Sequence, residues 1–499
     1  MFNFALLVVA YVAVAAIVLF AGSEAYLAMR YRSSKDRPPI KPMMAEWPGA
    51  LPRILLQLPI YNEQYVVERL LQQVAKAEYP RNLLTIQLLD DSTDETTEIA
   101  AAAIKRLAAT GINIQHVRRG VRTGYKAGAM KAGLELDDSE FVVIFDADFL
   151  PQPDFIKRVL PYFTDPKVGM VQTRWEHLNA DYSLATRLLS FGIDNHFSVE
   201  QGGRQANGSF INFNGTAGMW RRKTIDEAGG WSSDSLTEDL DLSFRAQLKG
   251  WKFLFVEDIS TPQELPVQMT AIRSQQFRWT KGAAEAARLS LGQLWGSDEP
   301  LSHKIIGSFH MMNSMVFMFC LILSLALATM AFLDQGPAIA ALIPIKIALT
   351  VAVLGLVYTY WTSQKQGELA QGLTTSLSIL YMAVLFVALV SGLSLLNGIA
   401  VLQGLFGWVT PFVRTPKLAV NSKDQAIAGK RAYNLSGISP LYVGEVFLAL
   451  LFLTATCFSL WRGNYVLIDV YAFFAFGYAV VSWLTLSEVL SVNSGPGKS

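Results

Sequence analysis

Long uncharged apolar segments set the first limit on the fold of this chain. The segment from Leu369 to Val413 carries no charged residue, and the segment from Ile305 to Leu333 carries only the ionisable His310. Each is long enough to cross a bilayer, which takes about 20 apolar residues. Hydrophobic residues make up 52% of the 499 residues and charged residues 17%, which is too apolar for an ordinary soluble protein. We therefore predict an integral membrane protein.

The positions of the apolar segments predict seven membrane spans. The first segment, Met1 to Ser23, is followed rather than preceded by basic residues, so we predict a membrane anchor with the next domain in the cytosol, and a secretory signal is the alternative. The other predicted spans are Ile305–Leu333, Ala338–Ser363 with Lys346 able to snorkel near one end, a hairpin of two helices within Leu369–Val413 that turns near Ser391-Gly392, Leu441–Trp461 and Tyr465–Ser487. This count puts the basic loop from Arg414 to Arg431 in the cytosol.

Charge and cysteine content exclude other classes of protein. The net charge of +1 gives no electrostatic reason to expect nucleic acid as a partner. Cys320 and Cys457 both lie in apolar runs, which argues against a disulfide framework or a zinc site.

Between the first anchor and the later spans, short strands alternate with helices. The predicted strands are Ile54–Leu58, Leu84–Leu89, Ile112–Val117 and Phe141–Phe145. The predicted helices are one whose apolar stripe runs from Val66 to Val74, then Asp94–Leu107 and Lys126–Leu136. Asn62 is predicted to cap the first of these helices. The alternation predicts a doubly wound α/β domain with a mostly parallel sheet, whose ligands lie at the carboxyl ends of the strands.

Two acidic motifs follow predicted strands. Asp146 and Asp148 are two residues apart on an extended segment, so their carboxylates project to one side. Such a pair favours a cation between its members, and Mg²⁺ or Mn²⁺ carrying a diphosphate is the natural one. Asp90-Asp91 can contact a nucleoside base or ribose, with Asp91 the better candidate. The structural alternative for both motifs is turn formation and helix capping.

The glycine-rich basic segment from Arg118 to Ala129 lies between these motifs. Its glycines permit close backbone approach, and its cations, Lys126 among them, can neutralise diphosphate oxygens. It does not fit a Walker A loop, because no Ser or Thr follows Lys126. The alternative is an ordinary basic surface loop.

Two motifs lie further along the chain. Thr237-Glu238-Asp239 begins a predicted helix, where an N-cap and acidic residues in the first turn are a complete structural explanation. The functional interpretation makes Asp239 the base that takes a proton from an acceptor hydroxyl. In Gln275-Gln276-Phe277-Arg278-Trp279, Arg278 can stabilise a departing diphosphate and Trp279 can support a sugar ring. The alternative for Trp279 is a membrane-interface tryptophan.

The helix that carries this last motif is predicted to be amphipathic. Its basic residues are Arg273, Arg278, Lys281 and Arg288. We expect it to lie along the cytosolic face of the membrane.

Four motifs resemble, in their order along the chain, those of the processive family-2 glycosyltransferases, the cellulose synthase superfamily. They are Asp90-Asp91, Asp146-x-Asp148, Thr237-Glu238-Asp239 and Gln275-x-x-Arg278-Trp279. The amino-acid sequence is most similar to the plant cellulose synthase-like A and C proteins, mannan and glucan backbone synthases, in segments such as 121–128, 213–218 and 248–253. The resemblance implies a GT-A catalytic domain, a nucleotide-sugar donor, inversion at the anomeric carbon and a membrane channel for the growing chain.

The resemblance also implies a role for each site residue. It assigns catalysis to Asp239, Glu238 and Thr237; nucleotide-sugar binding to Tyr61, Glu63, Asp90, Asp91, Lys126, Asp146, Gln275 and Arg278; acceptor binding to Trp279, Asn214, Gly215 and Thr216; and the metal, Mg²⁺ or Mn²⁺, to Asp146 and Asp148. Two departures are visible. The segment from Phe412 to Lys417 resembles the cellulose synthase gating loop but has Arg414 where those enzymes have Val, and Asn214-Gly215-Thr216 stands where they have a Cys beside the acceptor.

The expected organisation is a cytosolic GT-A domain inserted into a transmembrane helical bundle. Its parts are a membrane helix at 1–29, the catalytic domain at 45–263, interface helices at 264–303 and a channel region at 304–499 with a cytosolic loop at 411–435. The host membrane is a bacterial inner membrane or a Golgi-type membrane. Accessory export or regulatory subunits are a further class of partner.

The expected product is a β-linked hexose polymer, β-1,4 mannan or glucan, built from GDP-mannose or UDP-glucose and passed across the lipid bilayer. The first alternative is an enzyme that adds one sugar to a membrane lipid. A hydrophilic lining of the spans favours the polymer, and a lateral opening favours the lipid. The second alternative is a catalytically silent channel or scaffold, against which the four intact motifs argue.

Overall fold

The structure is a computed structural model that describes residues 2–36, 40–333, 339–364, 373–410, 412–420 and 440–493. Within these ranges the strands are β1 (Ile54–Ile60), β2 (Leu84–Asp90), β3 (Ile114–Arg118), β4 (Phe141–Ile144), β5 (Val168–His177), β6 (Gly218–Arg221) and β7 (Lys252–Gln263). The helices up to β7 are α1 (Phe2–Ser34), α2 (Val67–Val74), α3 (Thr96–Ala108), α4 (Tyr125–Leu134), α5 (Phe155–Val159), α6 (Leu184–Asn195), α7 (Gly202–Asn207), α8 (Arg222–Glu227) and α9 (Glu238–Leu248). The later helices are α10 (Met269–Gly296), α11 (Leu301–Met312), α12 (Met315–Phe332), α13 (Ile339–Gln364), α14 (Leu373–Gly392), α15 (Ser394–Leu405), α16 (Pro440–Trp461) and α17 (Ile468–Asn493). A π-helical turn, His196–Gln201, joins α6 to α7.

The strands form one mixed sheet in the order β3-β2-β1-β4-β6-β5-β7. Only β6 runs antiparallel to its neighbours, β4 and β5, and the other pairs are parallel. The residues of β2 and β4 are buried throughout, as expected for strands covered on both faces. The predicted α/β domain with a mostly parallel sheet is confirmed.

Sequence periodicity located the first four strands correctly, but it misplaced one helix cap. Asn62 does not cap α2, which begins at Val67. Instead Asn62 adopts a left-handed backbone conformation (φ 56°), and its side-chain oxygen accepts a hydrogen bond from the Thr93 backbone N–H at 2.8 Å. This contact joins the loop after β1 to the loop after β2. The Asn62 side chain therefore stabilises the loops at the strand ends rather than the start of the helix.

Buried glutamines on adjacent strands fix α4 against the sheet. Gln57 donates to Gln87 at 3.2 Å and to the Met130 carbonyl at 3.2 Å, and Gln87 donates to the Gly133 carbonyl at 3.0 Å. A Cβ at Gly133 would lie 2.5 Å from Gln57 Nε2, so glycine allows this close approach. The docking matters for the site because Lys126 lies in the first turn of α4.

Helix α1 is attached to the sheet domain near its C-terminal end. Tyr31 donates to Glu257 at 2.6 Å, and Lys35 pairs with the same carboxylate at 2.7 Å. Gly203 of α7 lies so close to α1 that a Cβ there would be 2.5 Å from the Leu27 carbonyl oxygen. The predicted helix at 1–29 thus continues to Ser34 and packs on the α/β domain.

Within the described ranges, five helices are long and apolar enough to span a membrane: Asn3–Ser34, Met315–Phe332, Ala340–Gln364, Pro440–Trp461 and Ile468–Glu488. A sixth candidate is the pair Ser376–Gly392 and Ser394–Leu405, bent by 55° at its break. These helices fit a membrane-associated protein. The predicted count of seven is not confirmed, since the predicted hairpin near Ser391-Gly392 is a bend that does not reverse the chain.

Helix α10 exposes Arg288 but buries two of the other basic residues predicted to lie on its surface. Arg273 is buried and pairs with the fully buried Glu445 of α16 at 2.5 Å. Lys281 is also buried and donates to Thr410 at 2.6 Å. Neighbouring elements cover Arg273 and Lys281 and provide partners for their charges.

Candidate active site

A cavity of about 200 Å³ opens at the carboxyl ends of β1, β2 and β4. Fourteen of the predicted site residues line it: Tyr61, Glu63, Asp91, Lys126, Asp146, Asp148, Asn214, Gly215, Thr237, Glu238, Asp239, Gln275, Arg278 and Trp279. The structure therefore brings together segments that are far apart in sequence. Asp90 and Thr216 are the two predicted site residues that do not line this cavity.

Asp90 is buried in the sheet domain. Its carboxylate contacts His116 Nε2 at 2.9 Å and accepts the Ser92 backbone N–H at 2.8 Å. Although burial alone would raise the pKa of Asp90, these hydrogen bonds lower it to about 2. The predicted nucleotide contact at Asp90 is not supported, because the carboxylate is used inside the fold.

Thr216 is fully buried as well. Its hydroxyl accepts the Asp146 backbone N–H at 2.9 Å. The Thr216 hydroxyl thus positions the acidic motif, and the buried side chain is not exposed to an acceptor. Its predicted acceptor contact is not supported.

Two arginines from the glycine-rich segment contact residues that line the cavity, and neither was assigned from the sequence. Arg119 binds both oxygens of Asp91, with Nε 3.0 Å from Oδ1. The Arg122 guanidinium lies 3.4 Å from the centre of the Tyr61 ring, a cation–π contact. The sequence showed only a run of basic residues, and which of them face inward depends on how the loop folds.

Lys126 reaches from α4 to the acidic motif. Its ammonium lies 2.6 Å from Asp146 and 2.9 Å from the Gly215 carbonyl oxygen. Although burial opposes it, the charges of Asp146 and Glu238 raise the pKa of Lys126. The lysine therefore stays protonated and holds a positive charge at the strand ends.

Asp239 lies beside Glu238 at the start of α9. Burial, followed by the negative charge of Glu238, raises the pKa of Asp239 to about 7. Gly215 faces it with φ +80°, and a Cβ at Gly215 would lie 3.0 Å from Asp239 Oδ2. A glycine is needed here for both its backbone conformation and its lack of a side chain.

Thr237 precedes α9 but does not cap it with its side chain. Its hydroxyl lies 3.1 Å from that of Ser235, and its methyl packs against Gly282 of α10, where a Cβ would lie 2.5 Å away. The threonine joins the two helices that carry the last two motifs.

The segment 412–417, which we call the covering segment, also lines the cavity. Arg414 pairs with Glu63 at 2.8 Å, and Lys417 pairs with Asp148 at 2.6 Å. Burial raises the pKa of Glu63 to about 7. Arg414 stands where the cellulose synthases have Val, and it therefore adds an ion pair to Glu63, a buried carboxylate of the site.

Aromatic and polar contacts hold the same segment. The Phe412 ring stacks on Tyr125 with centroids 5.4 Å apart, and Arg278 donates to the Thr415 hydroxyl at 2.9 Å. Burial lowers the pKa of Arg278 to about 10. Arg278 remains cationic at neutral pH and contacts both the cavity and the covering segment.

A second cavity of about 720 Å³ runs from the same residues into the bundle of apolar helices. The residues that line both cavities are Trp175, Asn214, Thr237, Asp239 and Trp279. Helix α10 turns Gln275 and Arg278 toward the first cavity, and Gln276 and Thr280 toward the second. Asp239 and Trp279 thus lie at the junction of two chambers.

The second cavity changes character along its length. Polar side chains line it near the junction, and further along its wall is mostly apolar and aromatic, with Phe317, Phe473 and Phe474 among the residues. Lys346 also lines it and pairs with Asp469 of α17 at 3.1 Å, instead of only snorkelling toward an interface.

The fold defines the class of the α/β domain. Among solved structures, the mannosyltransferase PcManGT of Pyrobaculum calidifontis, in complex with GDP-Man and Mn²⁺, aligns with a TM-score of 0.51 at 20% identity and covers 76% of this chain and 97% of that chain. The likeness shows a GT-A fold.

Sequence comparison gives the family. A profile described as glycosyltransferase-like family 2 matches residues 52–282. Glucomannan 4-beta-mannosyltransferase 7 of Arabidopsis thaliana is 36% identical over 394 residues, which are 76% of this chain and 67% of that protein. Probable glucomannan 4-beta-mannosyltransferase 4 of Oryza sativa subsp. japonica is 45% identical over 245 residues, 48% of this chain and 45% of that protein. The chain belongs to the family-2 glycosyltransferases of the cellulose synthase-like kind and is a hexosyltransferase, although the match spans less than half the length of the second relative.

Proposed function

We propose that this protein is a processive, inverting glycosyltransferase that builds a β-1,4-linked mannan from GDP-mannose and passes it into the transmembrane cavity. The observation that carries the proposal is the position of Asp239 and Trp279 at the junction of the two cavities. A donor in the first cavity and an acceptor in the second would meet there. The names of the relatives, which are mannosyltransferases, favour mannan over glucan, and UDP-glucose is the second candidate donor.

In this proposal Asp239 is the general base. Its raised pKa, about 7, suits a group that must accept a proton from a hydroxyl near neutral pH. Glu238 keeps that pKa high, and Gly215 leaves room for the reacting groups beside the carboxylate.

Lys126 and Arg278 would stabilise the diphosphate as it departs. Both line the first cavity, and both remain cationic at neutral pH. Fixed positive charges at a developing anion lower the barrier because they need no reorganisation during the reaction.

The acidic motif fits a divalent metal ion only together with oxygens from the donor. Among the described residues there is no group of three acidic, histidine or cysteine side chains that could hold a metal by itself. Asp146 and Asp148 are each paired with a lysine, which shows that both positions favour a cation. A bound Mg²⁺ or Mn²⁺ would supply further charge neutralisation for the diphosphate.

The proposed organisation puts the catalytic domain, 45–263, in the cytosol and the channel region, 304–499, in the membrane. The interface helices at 264–303 lie between them. Tyr61, Glu63, Asp91 and Gln275 would bind the nucleotide sugar, and Asn214 and Trp279 the acceptor, because each of them lines one or both cavities.

A donor screen tests the proposal. The purified protein in lipid nanodiscs is given each nucleotide sugar in turn with a divalent metal ion, and the products are sized and analysed for linkage. We expect a ladder of β-1,4-linked mannose oligomers from GDP-mannose. A single glycolipid would support the lipid alternative, and no sugar incorporation from any donor would contradict the proposal.

A further inference from the structure

The loop before β6, residues 212–217, touches two charged groups on which the proposed reaction depends. The Gly215 carbonyl oxygen accepts a hydrogen bond from Lys126 at 2.9 Å. A Cβ at Gly215 would lie 3.0 Å from Asp239 Oδ2, so the backbone of this loop borders the proposed base. The contacts that fix the loop therefore bear on the positions of the base and of a cation in the donor cavity.

Asn214, in the middle of this loop, is held by internal hydrogen bonds. Its backbone N–H donates to Gln172 at 2.8 Å, and its side-chain oxygen accepts from Gln201 at 3.2 Å. Its amide nitrogen lies 3.0 Å from His196 Nε2. Gln201 also donates to the Asn212 carbonyl at 2.6 Å. Two of the residues that hold the loop, His196 and Gln201, thus belong to the π-helical turn between α6 and α7.

The π-helical geometry explains how the two ends of this turn reach the same loop. With 3.6 residues per turn, side chains five residues apart on an α-helix point about 140° away from each other. The wider π-helical turn repeats every five residues, so the side chains of His196 and Gln201 lie on one side. Such turns are rare and are frequent at functional sites.

Glu200 fixes the His196 ring in the orientation that this contact needs. His196 Nδ1 lies 2.9 Å from Glu200, and the buried Arg204 donates to the same carboxylate oxygen at 2.7 Å. The carboxylate favours a proton on Nδ1, which leaves Nε2 as the acceptor for the Asn214 amide. A carboxylate, an imidazole and an amide are therefore linked in a row that ends beside Gly215.

We propose that the π-helical turn positions the loop before β6 for the proposed reaction, with His196, Glu200 and Gln201 as its positioning residues. This inference rests on the proposed function, which makes Asp239 the base and Lys126 a stabilising cation. The turn acts through the loop. Its loss should therefore slow the chemical step more than it weakens the binding of either substrate.

A direct contact between His196 and a substrate is the alternative, because His196 lines the second cavity. Its two ring nitrogens already contact Glu200 and Asn214. The polar atoms of the ring are thus used inside the fold, which favours the positioning role.

The experiment compares His196→Phe with His196→Gln in the full chain in nanodiscs. Phe keeps a flat ring but loses both hydrogen bonds, and we expect kcat to fall about tenfold with both KM values within about twofold. Gln can still donate to Glu200 and accept from Asn214, so it should recover most of kcat. If the ring only filled space, Phe would be the better replacement and this order would be reversed.

His303 offers the matched control. Its Nδ1 lies 3.0 Å from Glu299, also four residues away, and it lines neither cavity. The side chains of His303 and His196 are 23% and 30% exposed, so the two sites tolerate substitution to a similar degree. His303→Phe and His303→Gln should both keep the wild-type kcat and KM values.

Hydrogen exchange of the backbone amides in the loop, measured without substrates, separates this inference from the proposed function. In His196→Phe we expect exchange at 212–214 to be about fivefold faster, the effect of one lost neutral hydrogen bond. This result, absent in His303→Phe, supports the positioning of the loop even if no sugar transfer is found. Wild-type exchange in the loop would overturn the inference, and so would a raised acceptor KM with unchanged kcat, which would indicate direct contact with the acceptor.

Discussion

Asp239 owes its proposed chemistry to its surroundings. An aspartate in water has lost its proton well below neutral pH, whereas burial and the Glu238 charge raise the pKa here to about 7. The same residue type at Asp90 has its pKa lowered to about 2 by hydrogen bonds. Two aspartates of one domain thus differ by their contacts alone, and one is suited to proton transfer while the other is structural.

We predict that Asp239→Asn lowers kcat by about 100-fold or more, the usual contribution of a general base. Sugar incorporation from the preferred donor measures it. Asp234→Asn is the control, since Asp234 is exposed and lines neither cavity. Unchanged incorporation in Asp239→Asn would show that another group acts as the base.

The pH dependence should follow the deprotonated form of Asp239. Because the pKa is raised to about 7, activity is lost as pH falls through about 7 and is present above it. In Glu238→Gln the neighbouring negative charge is removed, so the pKa of Asp239 falls and the acid limb moves to lower pH. Profiles of kcat/KM against pH measure both limbs, and an unmoved limb in Glu238→Gln would contradict this coupling.

At the scale of elements, the site is built where loops follow parallel strands. The sequence predicted the first four strands and the acidic residues after them, because buried parallel strands leave continuous apolar runs. It could not predict that Asp90 turns into the sheet while Asp91 faces the cavity, since adjacent residues differ only in direction. Nor could it assign Arg119, Arg122 and Lys417 to the site, because their contacts cross long sequence separations.

A substitution at Gly215 tests how closely the loop before β6 packs against Asp239 of α9. We predict that Gly215→Ala lowers kcat/KM at least about tenfold, because the added Cβ would lie 3.0 Å from Asp239 Oδ2. Gly250→Ala is the control, since Gly250 has φ +87° but open space around it. Both variants bear a backbone cost of about 1 kcal/mol, so only a contact with Asp239 predicts a larger loss at position 215.

Removal of divalent metal ions tests the acidic motif after β4. We expect excess chelator to stop turnover, and added Mg²⁺ or Mn²⁺ to restore it, because Asp146 and Asp148 favour a cation beside the diphosphate. Asp148→Asn should need a higher metal concentration for half-maximal rate. Full activity in excess chelator would remove the metal from the proposal.

At the scale of the whole molecule, α10 connects the catalytic domain to the apolar helices. Hydropathy located most of the candidate spans, since their apolar runs are long. It did not show the division of the predicted span Ile305–Leu333 into α11 and α12, or the bend after Gly392, because both depend on packing. The burial of Arg273 was also hidden, since its partner Glu445 is 172 residues away.

The ion pair between Arg273 and Glu445 should hold α10 against α16. We predict that Arg273→Met destabilises the protein by about 3–5 kcal/mol, because it leaves a buried carboxylate without a partner. Thermal unfolding in detergent measures this. Recovery of most of the loss in the double variant Arg273→Met/Glu445→Leu is expected, and equal loss in the single and double variants would contradict the explanation.

The position of Trp279 on the wall shared by both chambers has a consequence for how the enzyme cycles. In the proposed function, the entering hydroxyl and the newly joined sugar would both pass this ring, one after the other. Each addition can then begin only once the previous sugar has moved past this ring into the membrane. Elongation and forward transport would be obligatorily alternating events, paced by a single tryptophan.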